Sequence, residues 1–174
     1  MKNSFLVILT ILGIQQINAQ FTRRDSLQGG LRIERTSYDV KRYDLNITIN
    51  PEQKSIKGFN EITFEVLVPA QKIQLDLFEN MKVDSIVWNT KKLKYNRDND
   101  AVFIDFPEKL ASKSNHKLKF YYSGNPRIAR NAPWDGGFVF SKDKAGKDFI
   151  AVAVQGTGAS LWYPVKDSQT DRKS

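Results

Sequence analysis

Gln155, Gly156 and Gly158 stand together near the end of a 174-residue chain, just before Trp162-Tyr163-Pro164. Glycines at Gly-x-Gly spacing can cradle a phosphate on backbone N–H groups. Here the third glycine of the dinucleotide fingerprint is missing. No lysine stands where a P-loop places one, and no amphipathic helix pattern follows. Phosphate binding is therefore excluded. What remains is backbone free of side chains beside one neutral amide, whose oxygen can accept a hydrogen bond. On the residues alone, Gln155 ends a strand and the glycines form a turn. Trp162 and Tyr163 read as packing anchors, and Asp167 as a structural partner.

Other chemistry is sparse. The chain has no cysteine, which excludes disulfides, thiolate metal ligands and a cysteine nucleophile. His116 is the single histidine and stands at the start of a strand pattern, where it reads as exposed or at a rim. One histidine without cysteine would leave a zinc site to carboxylates, an unusual donor set, and no His-Glu-x-x-His motif occurs. No serine occupies a Gly-x-Ser-x-Gly elbow. Asp44, Glu61, Glu65, Asp76 and Asp105 fall on the polar phase of strands and read as solvated rather than as paired catalytic acids. Neither a catalytic residue nor a metal ligand is assigned.

The elements that would position Gln155 are strands. Tyr43, Leu45, Ile47 and Ile49 alternate with polar residues, as do Ile62, Phe64 and Val66, and the Asn50–Lys54 turn joins the two runs into a hairpin. Ile73, Leu75 and Leu77 form a third run. Lys82–Trp88 and Lys91–Tyr95 flank a turn at Asn89-Thr90. Val102, Ile104 and Phe106 form a run that Pro107 is expected to end, with one helical turn possible over Pro107–Asn115. His116–Gly124, Gly136–Phe140 and Asp148–Val154 complete eight to ten short strands. That spacing predicts an all-β sandwich or barrel.

Lys2, the apolar run Phe5–Ile14 and the small residue Ala19 have the layout of a secretory signal peptide over residues 1–19. The expectation is export to the periplasm or extracellular space, with no membrane span after cleavage. Residues 20–36 are polar and read as a flexible leader, and 37–174 as one β domain. The formal charge of +8 is spread along the chain without a nucleic-acid-binding signature, so a solvated basic face is expected and no nucleic-acid partner.

The ordered set Tyr38–Phe64, Ile73–Asn89, Phe120–Pro126 and Val154–Asp167 resembles the N-terminal domain of M1-family zinc aminopeptidases, the group that includes aminopeptidase N and leukotriene A4 hydrolase. The stretch from Ala132 to Asp167 is most similar to Bacteroidetes-type versions. The resemblance implies a saddle-like, mainly antiparallel β-sandwich covering one side of a separate catalytic domain. Zinc and the Gly-x-Met-Glu-Asn and His-Glu-x-x-His motifs belong to that later domain. No cofactor is implied for this chain. By the same resemblance Gln155 faces the substrate's free α-amine, and Gly156 and Gly158 let backbone approach it. The partners implied are the catalytic domain and a peptide N-terminus. Relatives continue with further strands where this sequence reads Asp171-Arg172-Lys173-Ser174, so an incomplete first domain, inactive as a peptidase by itself, is expected. The other reading is a free-standing secreted binding or adhesion module, for which Trp88, Trp134 and Trp162 could form a sugar platform if two of them share an exposed face.

Overall fold

Alternation over Tyr43–Asn50, preceded by a register shift between Val40 and Arg42, gives β1 (Tyr38–Asn50), which folds back on β2 (Ser55–Val66) with Asn50 opposite Ser55. The Asn50 side chain accepts the Gln53 amide at 2.9 Å, and Lys54 turns the chain at φ 50°. The computed structural model describes residues 21–168. The expected signal peptide and the Asp171–Ser174 ending lie outside the described residues.

The chain continues as β3 (Ala70–Asp76), β4 (Met81–Trp88), β5 (Lys91–Lys92), β6 (Lys94–Asp98), β7 (Ala101–Leu110), β8 (Asn115–Gly124), β9 (Gly137–Lys142) and β10 (Asp148–Ala153). These pair antiparallel in three sheets of order β1-β2-β8-β4-β5, β3-β7-β6 and β10-β9. The expected all-β, mainly antiparallel architecture is what the chain adopts. Asn89 and Thr90, both at positive φ, make the two-residue turn between β4 and β5. At the buried Leu93 the chain leaves the five-stranded sheet and enters the three-stranded one.

The core lies between these two sheets. Ile62, Phe64, Phe120 and Tyr122 come from one side, and Ile73, Leu75, Val102 and Ile104 from the other. Phe64 packs edge-on to Tyr38 at 5.6 Å, and Trp88 edge-on to Phe106 at 5.4 Å. Alternation places these side chains on the inner faces, and removing their apolar surface from water is the main stabilising term.

Two local expectations are corrected. Pro107 does not end β7, and no helical turn forms over 107–115. Pro107 lies past the last β6 pair, Lys94 with Asp105, and within the register shift against β3. Its missing N–H therefore costs no ladder bond there. The polar segment before Ser37 forms α1 (Arg23–Gly29) and α2 (Ile33–Thr36) over its described part. Thr22 and Asp25 make a reciprocal capping box, while Leu27 and Arg35 are buried against the β domain. None of the described helices is long and apolar enough to cross a membrane.

Candidate functional site

The turn that carries Gln155 begins where β10 ends. The Val154 carbonyl accepts the amides of Thr157 at 3.2 Å and Gly158 at 3.0 Å. Gln155 and Gly156 are exposed on this turn. Gly158, at φ 78°, leads into a short 3-10 helix over Ala159–Leu161, in which Ser160 and Leu161 are buried. Trp162 packs edge-on to Phe138 at 5.7 Å and to Tyr163 at 4.7 Å, and Tyr163 meets Tyr43 at 6.2 Å. These aromatics anchor the far end of the turn to the sandwich, as their sequence context leads one to expect.

A polar cluster holds the following segment. Val165 and Asp76 exchange backbone bonds of 2.8 and 3.0 Å at the end of β3. The Asp76 carboxylate accepts Arg35 Nη1 at 2.7 Å, Gln74 Nε2 at 2.6 Å and the Asp167 amide at 3.2 Å. Arg35 Nη2 donates to the Asp167 carbonyl, and the Asp167 carboxylate accepts the Ser160 hydroxyl at 2.8 Å. A Cβ at Gly158 would collide with that carboxylate. Arg35 is 3% exposed and Asp76 0%. Burial pushes the Asp76 carboxyl up to about 6, against the opposing pull of Arg35 and of the hydrogen bonds it accepts.

Beside this cluster a cavity of about 710 Å³ opens between the amino-terminal helices and the glycine turn. Its wall includes Gly30, Arg35, Gly156, Gly158 and Asp167. Gly156 and Gly158 therefore share a concave surface, while Gln155 is not among its lining residues.

Sequence reasoning missed Arg35, Gln74 and Asp76. Asp76 was expected to be solvated with the other strand carboxylates. Asp44, Glu61, Glu65 and Asp105 do keep partial exposure, but β3 is covered on both faces, because α2 and the Val165–Asp167 segment close over its polar phase. Nothing in the Ile73–Phe78 pattern signals that second cover. The Thr22-x-x-Asp25 capping box, by contrast, was a visible sign of α1.

The remaining candidates are simpler. His116 is partly buried, with its ring 5.7 Å from both Phe64 and Trp88 and its Nε2 2.8 Å from the Ser114 hydroxyl. Burial lowers its pKa. Among the described residues no three His, Asp or Glu side chains converge. The donor set present here therefore does not fit a zinc ion. The sugar-platform arrangement is not formed either: Trp134 is 72% exposed, but Trp88 is 5% exposed and Trp162 is packed into the core rim.

The peptidase M1 N-terminal domain family matches residues 39–168. No curated protein matches the chain in sequence. Among solved structures, an M1 zinc metallopeptidase from Deinococcus radiodurans is similar with a TM-score of 0.58 at 22% identity, over 78% of this chain and 30% of that one. Native leukotriene A4 hydrolase from Saccharomyces cerevisiae gives a TM-score of 0.59 at 15% identity, over 76% of this chain and 22% of that one. The chain thus spans less than a third of the length of these enzymes, and at such identities the likeness establishes the fold. With the family match covering nearly all of the β domain, the chain belongs to the peptidase M1 N-terminal domain family.

Proposed function

We propose that this domain is the substrate-capping, structural N-terminal part of an exported M1 zinc aminopeptidase that removes N-terminal amino acids from peptides. The observation that carries this reading is the family match over residues 39–168, which includes the whole glycine turn. In it, the exposed Gln155 offers its amide oxygen to the substrate's α-ammonium, while Gly156 and Gly158 present backbone without side-chain obstruction. A neutral amide is a weaker acceptor for a cation than a carboxylate, since it carries no opposite charge to attract the ammonium. Gln155 would thus orient the amine without titrating. Zinc belongs to a catalytic domain outside these residues, and no chemical step is assigned to the side chains of this chain. Export rests on the signal-peptide pattern of residues 1–19. The packing of Trp88 and Trp162 gives the adhesion-module reading no support.

The test has two parts. DNA downstream of the Ser174 codon is expected to encode Gly-x-Met-Glu-Asn and His-Glu-x-x-His, and their absence in every frame would overturn the reading. In the polypeptide that includes them, Gln155→Ala should raise KM for amino-acid anilides by about 10-fold, the loss of roughly one hydrogen bond to a charged group. Gln155→Glu should lower it. Residues 20–174 alone should release no chromophore, and zinc-dependent release by them would refute the assignment.

A further inference from the structure

We infer that the amino-terminal helices are a brace for the glycine turn, and that Arg35, Asp76 and Asp167 are the positioning residues that transmit it. The inference rests on the substrate-facing reading of Gln155 for its functional meaning, but its geometry stands independently. α1 and α2 precede the family match, which starts at residue 39, while Asp76 and Asp167 lie within it.

The connection runs through a short series of contacts. α1 supplies the Leu27 carbonyl, which accepts Gln74 Nε2 at 3.0 Å and Arg35 Nη1 at 3.4 Å. α2 supplies Arg35 itself, whose guanidinium spans two chain segments: one nitrogen donates to the Asp76 carboxylate of β3, the other to the Asp167 carbonyl. A planar guanidinium has the fixed, divergent donors needed to hold two acceptors at once. Asp167 then holds the turn from beneath. Its carboxylate accepts Ser160 Oγ at 2.8 Å and lies where a Gly158 side chain would have to be. The turn is also seated from the other side, where Thr157 fills the space beside Gly136.

α1 is tied down separately. Arg24 pairs with the buried Asp100, whose other carboxylate oxygen accepts the Glu79 amide at 2.9 Å. Arg23 pairs with Asp98 at 2.6 Å. The helices are thus fixed to the β6–β7 turn at one end and to Asp76 at the other. A segment fixed at both ends can hold the 165–167 segment in register against β3, and with it the orientation of Gln155.

The experiment is NMR on residues 20–174 without substrate, comparing wild type with Arg35→Gln, Arg35→Lys and Ser160→Ala. Amide hydrogen exchange reports Val165 and Asp167, and ¹⁵N order parameters report Gln155–Gly158. In Arg35→Gln, exchange at Val165 and Asp167 should quicken by about 10-fold or more, and order parameters in the turn should fall towards the flexible range, below about 0.6. Ile62 and Phe64, in the β2–β8 ladder, should keep their protection. Arg35→Lys should recover part of the loss, because one ammonium reaches one of the two acceptors. Ser160→Ala should loosen Gln155–Gly158 but leave Val165 protected. A turn as ordered as wild type in both Arg35→Gln and Ser160→Ala would overturn the inference. So would loss of protection that spreads equally over β2 and β8, which would make Arg35 a source of general stability only. A braced turn combined with an unchanged KM in Gln155→Ala would leave the brace standing and remove the substrate contact.

Discussion

The sandwich core around Phe64 and the polar cluster around Asp76 are equally buried, yet they are built by opposite means. Phe64 sits among Tyr38, Phe106 and the inner faces of two sheets, where any well-shaped apolar neighbour contributes. Asp76 sits among donors that must each arrive from a different part of the chain: Arg35 from α2, Gln74 from its own strand and the Asp167 amide from the far end. The first arrangement is non-directional and tolerant. The second is directional, and a single missing partner leaves a buried charge or dipole unsatisfied. The core therefore accounts for the stability of the domain, and the cluster for where its two ends are placed.

Truncating the core should have the largest effect. Phe64→Ala is expected to cost about 4 kcal/mol, read as a lowered denaturation midpoint with all strands lost together. A cost near 1 kcal/mol would mean that the core collapses around the gap and is less specific than its packing indicates.

Breaking the cluster from one side comes next. Arg35→Met leaves Asp76 buried without its counter-ion and should cost about 3 kcal/mol. In a double-mutant cycle with Asp76→Leu the two losses should fail to add by about 2 kcal/mol. Additive losses would show that the pair acts as two separate residues and would remove the distinction drawn from Phe64.

Acidity separates the two regions further. Burial raises the folded-state pKa of Asp76 from 3.8 to about 6. Because the folded value is the higher one, the stability associated with protonation is fully present below the unfolded pKa and is lost as pH rises through 6. The shift corresponds to on the order of 2–3 kcal/mol. Compared with Asp76→Asn, wild type should gain stability between pH 7.5 and pH 5, measured by urea denaturation at each pH. Parallel pH profiles for the two proteins would show that Arg35 offsets the burial penalty.

The smallest contrast is between two glycines that share the same φ. Gly146 and Gly158 both have φ 78°, but only Gly158 has a neighbour, the Asp167 carboxylate, where a side chain would go. Gly146→Ala should cost about 1 kcal/mol from the dihedral alone, and Gly158→Ala about 2 kcal/mol from the dihedral plus displacement of Asp167. Equal costs in thermal denaturation would mean that the turn is not held from beneath.

The strands, their hairpin partners and the all-β class could be read directly from residue order. A period of two places Tyr43, Ile62, Phe64, Ile73 and Leu75 by strand geometry alone, and Asn50–Lys54 and Asn89-Thr90 are turns by local dihedral preference. Local rules failed where a distant segment changed a residue's surroundings. Pro107 stays in a strand because β6 has already ended beside it and β3 shifts register. The polar segment before Ser37 becomes helical and docked because β3 offers Leu27 and Arg35 a surface that the segment does not itself encode. Gly156 and Gly158 were placed on a turn by their own sequence, whereas Gln155, read as the end of a strand, lies on the turn past the end of β10 at Ala153. That Asp76 is buried rather than solvated, and that Arg35 and Asp167 meet on it, was decided only by the tertiary fold. The contacts join residues 41 and 91 positions apart. Their energy depends on exclusion of water by segments that no local pattern can bring together.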